Sequence, residues 1–408
     1  MTALERFIKY VKVHTASAED TAQTPTTARQ FDLSRLLEQE MKELGLQDVF
    51  VDEHAYVYGC LPATEGCESR PAIGFIAHLD TIPDFSGENV QPQIIENYDG
   101  GDVVLGTSGR VLTAETFPHL PSLKGQTLIT TDGTTVLGAD DKAGITAVMT
   151  ACETLIREKR PHGRVCVCFT PDEEVGHGAA LLDLERFGAD FAYTVDGGEL
   201  DEINYETFNA AAAKWEFTGF NIHPGSAKNK MINASLVAME VNAMLPSGDT
   251  PAHTEGYEGF FHLIEMSGGV DKAKLQYIIR DHDAARFAAR KDAMRHIEAL
   301  INEKYGAGTA KLTLTDQYRN MAEIVLQHPE ITRLAEQAIR RLGLEPKASP
   351  IRGGTDGAQL SFRGLPCPNL FTGGANFHGR FEYLPLPSLQ AAADTTLQIM
   401  VDAGQLKK

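Results

Sequence analysis

Five short segments of this 408-residue chain end in side chains that bind metal ions or move protons. The apolar run 72–77 leads into His78-Leu79-Asp80, and Val136-Leu137-Gly138-Ala139 leads into Asp140-Asp141. The run 165–169 leads into Asp172-Glu173-Glu174 and the run 191–195 into Asp196-Gly197-Gly198, while 368–371 is followed a few residues later by His378. Each run reads as a strand, so each polar residue is expected where a strand ends. Imidazole and carboxylate groups without a thiolate among them suit zinc or another first-row divalent ion.

His78 and Asp80, two residues apart, share one side of a strand end. Asp80 is placed to hold the ring or backbone of His78, as a ligating histidine requires. Asp140-Asp141 stands just before a helix. One aspartate is an ordinary cap there; two exceed that need, and one carboxylate can bridge a pair of cations. Asp172-Glu173-Glu174 puts three acids on one turn, where they repel unless solvated or neutralised by a cation. In the functional reading one glutamate binds metal and the other acts as general base toward a water that zinc acidifies to a pKa of about 7. Asp196 is followed by two glycines, which allow close backbone approach, and His378 lies in the Gly-rich segment 372–379. Arg352-Gly353-Gly354-Thr355-Asp356-Gly357 can cradle an anion on backbone N–H groups, but its spacing is not that of a nucleotide loop. His223-Pro224-Gly225-Ser226 follows a strand and can offer a donor to an oxyanion. Arg280 ends another strand and suits bidentate binding of a carboxylate. Each motif alone also reads as a turn residue, a solvated acid or a surface arginine; their joint occurrence at strand ends points to one metal site.

The elements that must position them alternate. Helical spacing over 3–13, 27–45 and 142–159, between short apolar strands, predicts an α/β chain with a doubly wound, mostly parallel sheet. In such sheets ligands sit outside the carboxyl ends of the strands. The Gly-rich stretch between Asp80 and Asp140 reads as short strands at 93–95, 103–105, 110–112 and 127–130, forming a small antiparallel extension of that sheet. Near residue 208 the character changes. Strand 211–218, helix 231–245, strands 260–266 and 274–280, helix 284–305 and strand 311–315 give the β-α-β-β-α-β order of a ferredoxin-like unit. Residues 208–318 are therefore expected to be an inserted domain. Residues 1–207 plus 319–408 are expected to form the main domain, with helices at 329–342 and 387–401 and a buried strand at 368–371.

Composition narrows the partners. The formal net charge of −19 argues against nucleic acid or an anionic membrane, which need basic surface, and fits a chain handling small molecules. No apolar run is long enough to span a bilayer. The apolar spacing over 2–11 is helical, with charges inside it and no cleavage site, so it does not read as a signal peptide. The six cysteines form neither a disulfide framework nor a metal spacing, and Cys166 and Cys168 read as small buried hydrophobes. The reducing cytoplasm is the expected setting.

Taken together in this order, Ala77-His78-Leu79-Asp80-Thr81, Gly138-Ala139-Asp140-Asp141-Lys142-Ala143-Gly144, Asp172-Glu173-Glu174-Val175-Gly176, Val195-Asp196-Gly197-Gly198 and Arg352-Gly353-Gly354-Thr355-Asp356-Gly357 carry a resemblance. The chain resembles, along essentially its whole length, the co-catalytic di-zinc metallopeptidase family that includes carboxypeptidase G and the carnosine-type dipeptidases. Gly87-Glu88-Asn89-Val90-Gln91-Pro92, residues 128–135 and Asn376-Phe377-His378-Gly379 resemble its aminotripeptidase branch. The resemblance implies a phosphorylase/hydrolase-like catalytic domain with a ferredoxin-like lid, and two zinc ions per subunit. Asp140 would bridge them, His78 and Asp196 would complete one site, and Glu174 and His378 the other. Glu173 matches the general base and Asp80 the partner of His78, and a cis peptide is implied between Asp140 and Asp141. His223 and Arg280 match lid residues that contact the transition state and the peptide's terminal carboxylate, with Arg352 also counted among substrate-binding residues. The implied activity is removal of the N-terminal residue from tripeptides with free termini. The rival readings are a dipeptidase, carboxypeptidase or acylamino-acid deacylase on the same scaffold. A dead-site binding protein would not need Glu173. Small peptides are the expected partners, with a homodimer through the lid domain, whose edge strands are open.

Overall fold

The structure is a computed structural model that describes residues 1–19 and 21–406. The chain divides into two compact units, one of residues 1–205, 321–349 and 355–408, the other of 206–320 and 350–354.

The first unit is built on an eight-stranded mixed sheet. At its centre run four parallel strands: β1 (Ile73–His78), β2 (Val165–Thr170), β3 (Phe191–Gly197) and β4 (Asn369–Phe371), in the spatial order β2-β1-β3-β4. β1 and β2 are buried at every residue. That explains why they read as continuous apolar runs, since a parallel strand is covered on both faces. Alternate side chains sort to opposite faces. Ile73, Phe75, Val165, Val167 and Phe169 join one core with the helices Gln30–Leu44, Ala139–Glu158, Pro329–Arg341 and Leu386–Ala403. Ile76, Cys166 and Cys168 join another core with Phe187 and Leu360. The cysteines are free thiols packed as small hydrophobes.

The edges are antiparallel. Gln47–Val51 pairs with Val57–Leu61, which pairs with β2; at the other side Glu202–Asn204 runs antiparallel to β4 and carries Lys347–Ala348. These four short strands were not expected from the sequence.

Two expectations need correction. Val136–Gly138 is not a strand but an extended turn before the helix α1 (Ala139–Glu158): the Val136 N–H goes to the Ser86 carbonyl, and those of Leu137 and Gly138 go to a side chain rather than to a neighbouring strand. The insert between Asp80 and Asp140 does not extend the main sheet. Gln93–Ile95 and Leu128–Thr130 form a separate three-stranded sheet with Tyr383–Pro385, and Val103–Leu105 pairs only with Arg110–Leu112. The missing partner, 383–385, lies more than two hundred residues downstream, so the local pattern gave no sign of it.

The second unit has one antiparallel sheet, Phe260–Gly268, Lys272–Asp281, Asn209–Thr218 and Ala310–Tyr318 in spatial order, with helices Ala234–Met244 and Ala284–Tyr305 packed on it. Its chain order is β-α-β-β-α-β, the ferredoxin-like arrangement. No helix among the described residues is long and apolar enough to cross a membrane.

Candidate metal centre

The carboxyl ends of the four parallel strands bring the first unit's polar residues together. His78 is the last residue of β1, Glu173 and Glu174 lie on the turn after β2, Asp196 ends β3, and the loop after β4 returns His378. Asp140 enters from the first turn of α1, where its dihedrals (φ −83°, ψ 104°) are not helical, and its peptide bond to Asp141 is cis.

Asp140 sits at the middle. Its Oδ1 is 2.8 Å from His78 Nε2, and its Oδ2 is 2.9 Å from His378 Nε2. His378 Nε2 is also 3.0 Å from Glu174 Oε2, and His78 Nε2 is 3.5 Å from Asp196 Oδ1. One carboxylate thus faces two imidazoles, each with a further carboxylate beside it.

Asp141 is also near His78 and Asp196, but both its oxygens are taken. Oδ2 accepts the His78 N–H at 3.1 Å and Oδ1 the Gly144 N–H at 3.1 Å. Through these two bonds it ties β1 to the start of α1. Gly144 must be glycine for this contact, because a Cβ there would lie 1.8 Å from the Val195 carbonyl oxygen and 2.4 Å from Asp141 Oδ1.

The surroundings fix the ring of His78 and the glutamate turn. His78 Nδ1 donates to the Asp80 carbonyl oxygen at 3.0 Å and lies 3.5 Å from its Oδ1. The Asp80 carboxylate accepts the N–H groups of Glu173 (3.0 Å) and Glu174 (3.2 Å). Asp172, buried, accepts from the Thr26 N–H and hydroxyl and from the Gln30 amide. The Glu173 carboxylate has no hydrogen-bond partner among the described residues.

The electrostatics follow from this crowding. Burial opposes ionisation of Asp140, but the hydrogen bonds from His378 and His78 outweigh it and hold the carboxyl well below its ordinary range. Those to Asp140 and Glu174 push His378 up to about 11. Burial raises Glu174 to about 7 and Asp196 to about 6, and burial followed by the charge of Asp196 drives Glu173 well above the usual carboxylate range. The donor set is therefore the three carboxylates of Asp140, Glu174 and Asp196 and two imidazoles, with the Glu173 carboxyl beside them. Divalent cations fit such a set, since they neutralise it and accept imidazole and carboxylate alike.

Three further groups belong to this region and were not singled out as site residues from the sequence, although Lys142 and Asp356 lie within the signature motifs. Glu382 is buried and accepts three backbone N–H groups of the Asp140 turn. It stands between Phe381 and Tyr383, and only an acid inside an aromatic stretch marks it in the sequence. Buried Lys142 donates to the Val13 carbonyl at 2.7 Å, and burial lowers it to about 7. Asp356 accepts from the Thr170 hydroxyl at 2.9 Å, while its Oδ1 is buried without a partner.

The remaining sequence candidates lie in the second unit. His223 is exposed and caps a single 3₁₀ turn, its Nδ1 accepting the Gly225 N–H at 3.1 Å. The neutral ring therefore carries its proton on Nε2. Arg280 donates to the carbonyls of Ile279 (3.0 Å) and Ala211 (3.4 Å) and stacks over Tyr318. Arg352 donates to the carbonyls of Gly256 and Glu258 and to the Thr254 hydroxyl, and packs over Phe208 and Phe260. Its guanidinium thus grips the 254–258 loop.

Known proteins share this sequence and fold. Residues 136–402 match the family model described as peptidase family M20/M25/M40. The chain is 54% identical over 398 residues, 97% of each chain, to a peptidase T of Clostridium perfringens. It is 53% identical over 398 residues, again 97% of each, to a peptidase T of Listeria monocytogenes. Among solved structures it is similar to an aminopeptidase PepT of Bacillus cereus, with a TM-score of 0.79 at 24% identity over 98% of each chain. It is also similar to a dinuclear metal-binding peptidase of Bacillus subtilis, with a TM-score of 0.68 at 14% identity over 99% of each chain. The chain belongs to peptidase family M20/M25/M40.

Proposed function

We propose that this metallopeptidase removes the N-terminal residue from tripeptides with free termini. His78 and Asp196 would hold one zinc ion, Glu174 and His378 a second, and Asp140 would be shared by the two sites. The observation that carries the reading is the two-sided contact of Asp140, with one oxygen 2.8 Å from His78 and the other 2.9 Å from His378. Similarity to enzymes named peptidase T, at 54% and 53% identity, supports the substrate class. The imidazole and carboxylate donors favour zinc.

Two such ions, when bound, supply Lewis acidity and an acidified water. The chain's own residues do the rest. Glu173, whose carboxylate has no hydrogen-bond partner among the described residues, takes the proton of the attacking water and returns it to the leaving amine. Asp80 fixes the Glu173 backbone and the His78 ring so that base and ligand keep their relative positions. His223 donates from Nε2 to the oxyanion, and Arg280 binds the carboxylate at the far end of the peptide, which sets length. Arg352 shapes the substrate-binding side through the loop it grips.

The decisive test is Glu173→Ala. Turnover is expected to vanish while bound metal stays at two ions per chain; loss of metal with activity would show that base and ligand have been exchanged. Assays on di-, tri- and tetrapeptides with free and blocked ends separate the aminotripeptidase from a dipeptidase, carboxypeptidase or deacylase.

The enzyme works in the cytoplasm, consistent with six unpaired cysteines, and needs neither nucleic acid nor membrane. It forms a homodimer through the second unit. There Ile264 and Met266 stand exposed on the edge strand Phe260–Gly268, with Leu236 and Met239 exposed on the helix Ala234–Met244. Sedimentation of the wild type against Ile264→Lys tests this; a monomeric wild type refutes it.

A further inference from the structure

The loop that carries His378 also carries Glu382, four residues on. Glu382 is 1% exposed. Its Oε2 accepts the N–H groups of Leu137 (2.7 Å) and Gly138 (2.9 Å), and its Oε1 accepts that of Asp140 (3.1 Å). The 137–140 segment has no strand partner, and Asp140 lies at a helix start where backbone donors have no intrahelical acceptor. Gly138 turns the chain there with φ +78°, which a residue with a side chain would adopt only under strain. Three N–H groups within four residues are thereby aimed at one anion, much as in a backbone nest. Here the anion is the protein's own side chain.

Asp140 must present one oxygen to His78 and the other to His378. That requires its backbone to be fixed relative to both β1 and the 376–382 loop. Asp141 supplies the first tie, through the His78 N–H. Glu382 supplies the second. We propose that Glu382 is a positioning residue for the metal centre. It clamps the Asp140 turn to the loop that delivers His378, so that the shared carboxylate and the histidine keep one mutual geometry. This rests on the reading of Asp140 as the ligand common to both ions.

The test is Glu382→Gln in the full chain, read by competitive zinc titration of metal-stripped protein, by kcat and KM on a tripeptide, and by thermal unfolding without metal. The amide keeps the shape but turns an NH₂ toward a backbone N–H. Zinc affinity and kcat are expected to fall about 10- to 100-fold, as is usual when a partner of a metal ligand is lost, with KM little changed. Zinc affinity within twofold of wild type, whatever the melting temperature, overturns the proposal, because that residue would then only stabilise the fold. Hydrogen exchange on the wild type gives an answer that needs no folded variant. The amides of Leu137, Gly138 and Asp140 are expected to be as protected as those of β1; free exchange there overturns the proposal. Asp140→Asn run in parallel separates the two levels. If it keeps two zinc ions at wild-type affinity, the shared-ligand reading fails; if it loses them while Glu382→Gln does not, only the clamp fails.

Discussion

Asp80 Oδ1 accepts the backbone N–H of Glu173 at 3.0 Å, across ninety-three positions of sequence. The same residue's carbonyl oxygen receives the Nδ1–H of His78 at 3.0 Å. A single aspartate just after β1 therefore orders both an imidazole beside Asp140 and the turn that carries Glu173, the proposed base. Asp80→Ala should lower kcat about 10- to 100-fold, with zinc content measured alongside. A kcat within twofold of wild type would mean the turn holds its place without Asp80.

Gly144 predicts a steric failure. Its α-carbon faces the Val195 carbonyl so closely that a methyl group would sit 1.8 Å from the oxygen. Gly144→Ala should push α1 away from β3, destabilise the first unit by about 3 kcal/mol, and disturb Asp141. Urea unfolding measures the first effect and zinc titration the second. Wild-type values in both would show that helix and strand can part without consequence.

Arg6 and Glu40 give the pH dependence of stability. Buried Arg6 meets Glu40 at 2.6 Å, and Lys9 and Tyr10 bond the same carboxylate. Burial raises the Glu40 carboxyl, but hydrogen bonds from Lys9 and Arg6 and the Arg6 charge win and set it below its ordinary 4.5. A depressed folded-state value means stability that is present above the unfolded value of 4.5 and lost as pH falls through the folded one. Glu40→Gln, which leaves a buried guanidinium short of a partner, should cost about 3–5 kcal/mol at neutral pH. The deficit should shrink in acid. An equal deficit at both ends of the range would remove the charge argument.

Arg280 should separate binding from turnover. Losing a charged hydrogen-bond donor to a substrate carboxylate costs about 1.5–3 kcal/mol, so Arg280→Ala should raise KM for tripeptides roughly 10- to 100-fold with kcat largely kept. Its bonds to the Ala211 and Ile279 carbonyls make unfolding a necessary control. A KM unchanged in a folded variant ends its role as a length gauge.

Metal stripping gives a thermodynamic check. A ligand at one hundred times its dissociation constant adds about 2.7 kcal/mol to folding stability. Zinc returned to chelated protein should raise the melting temperature and restore hydrolysis together. Restored activity without a thermal shift would mean the ions add nothing to the folded state.

The four parallel strands could be read from the sequence because buried parallel strands are unbroken apolar runs, and their polar ends then stand out. The inserted β-α-β-β-α-β order was readable for a similar reason: its helices and strands are long and periodic. What escaped was short or non-local. Val136–Gly138 looks like a strand because it is apolar, but the donors of Leu137 and Gly138 are satisfied by Glu382, some 245 residues away. Tyr383–Pro385 completes a sheet begun at Gln93, and no local pattern announces such a partner. Gln47–Val51 is an edge strand with no fully buried residue, so it lacks the uniform apolar signature.

His78 and His378 stand three hundred positions apart and meet across one aspartate. No contiguous fragment shorter than that span contains both imidazoles, so on the proposed ligand assignment strong zinc capture must wait until the long inserted unit has been bypassed and the late loop has docked. Retained metal is thus a readout of completed assembly. A chain nicked, truncated or misfolded anywhere that frees the His378 loop should give up its ions before it gives up its secondary structure.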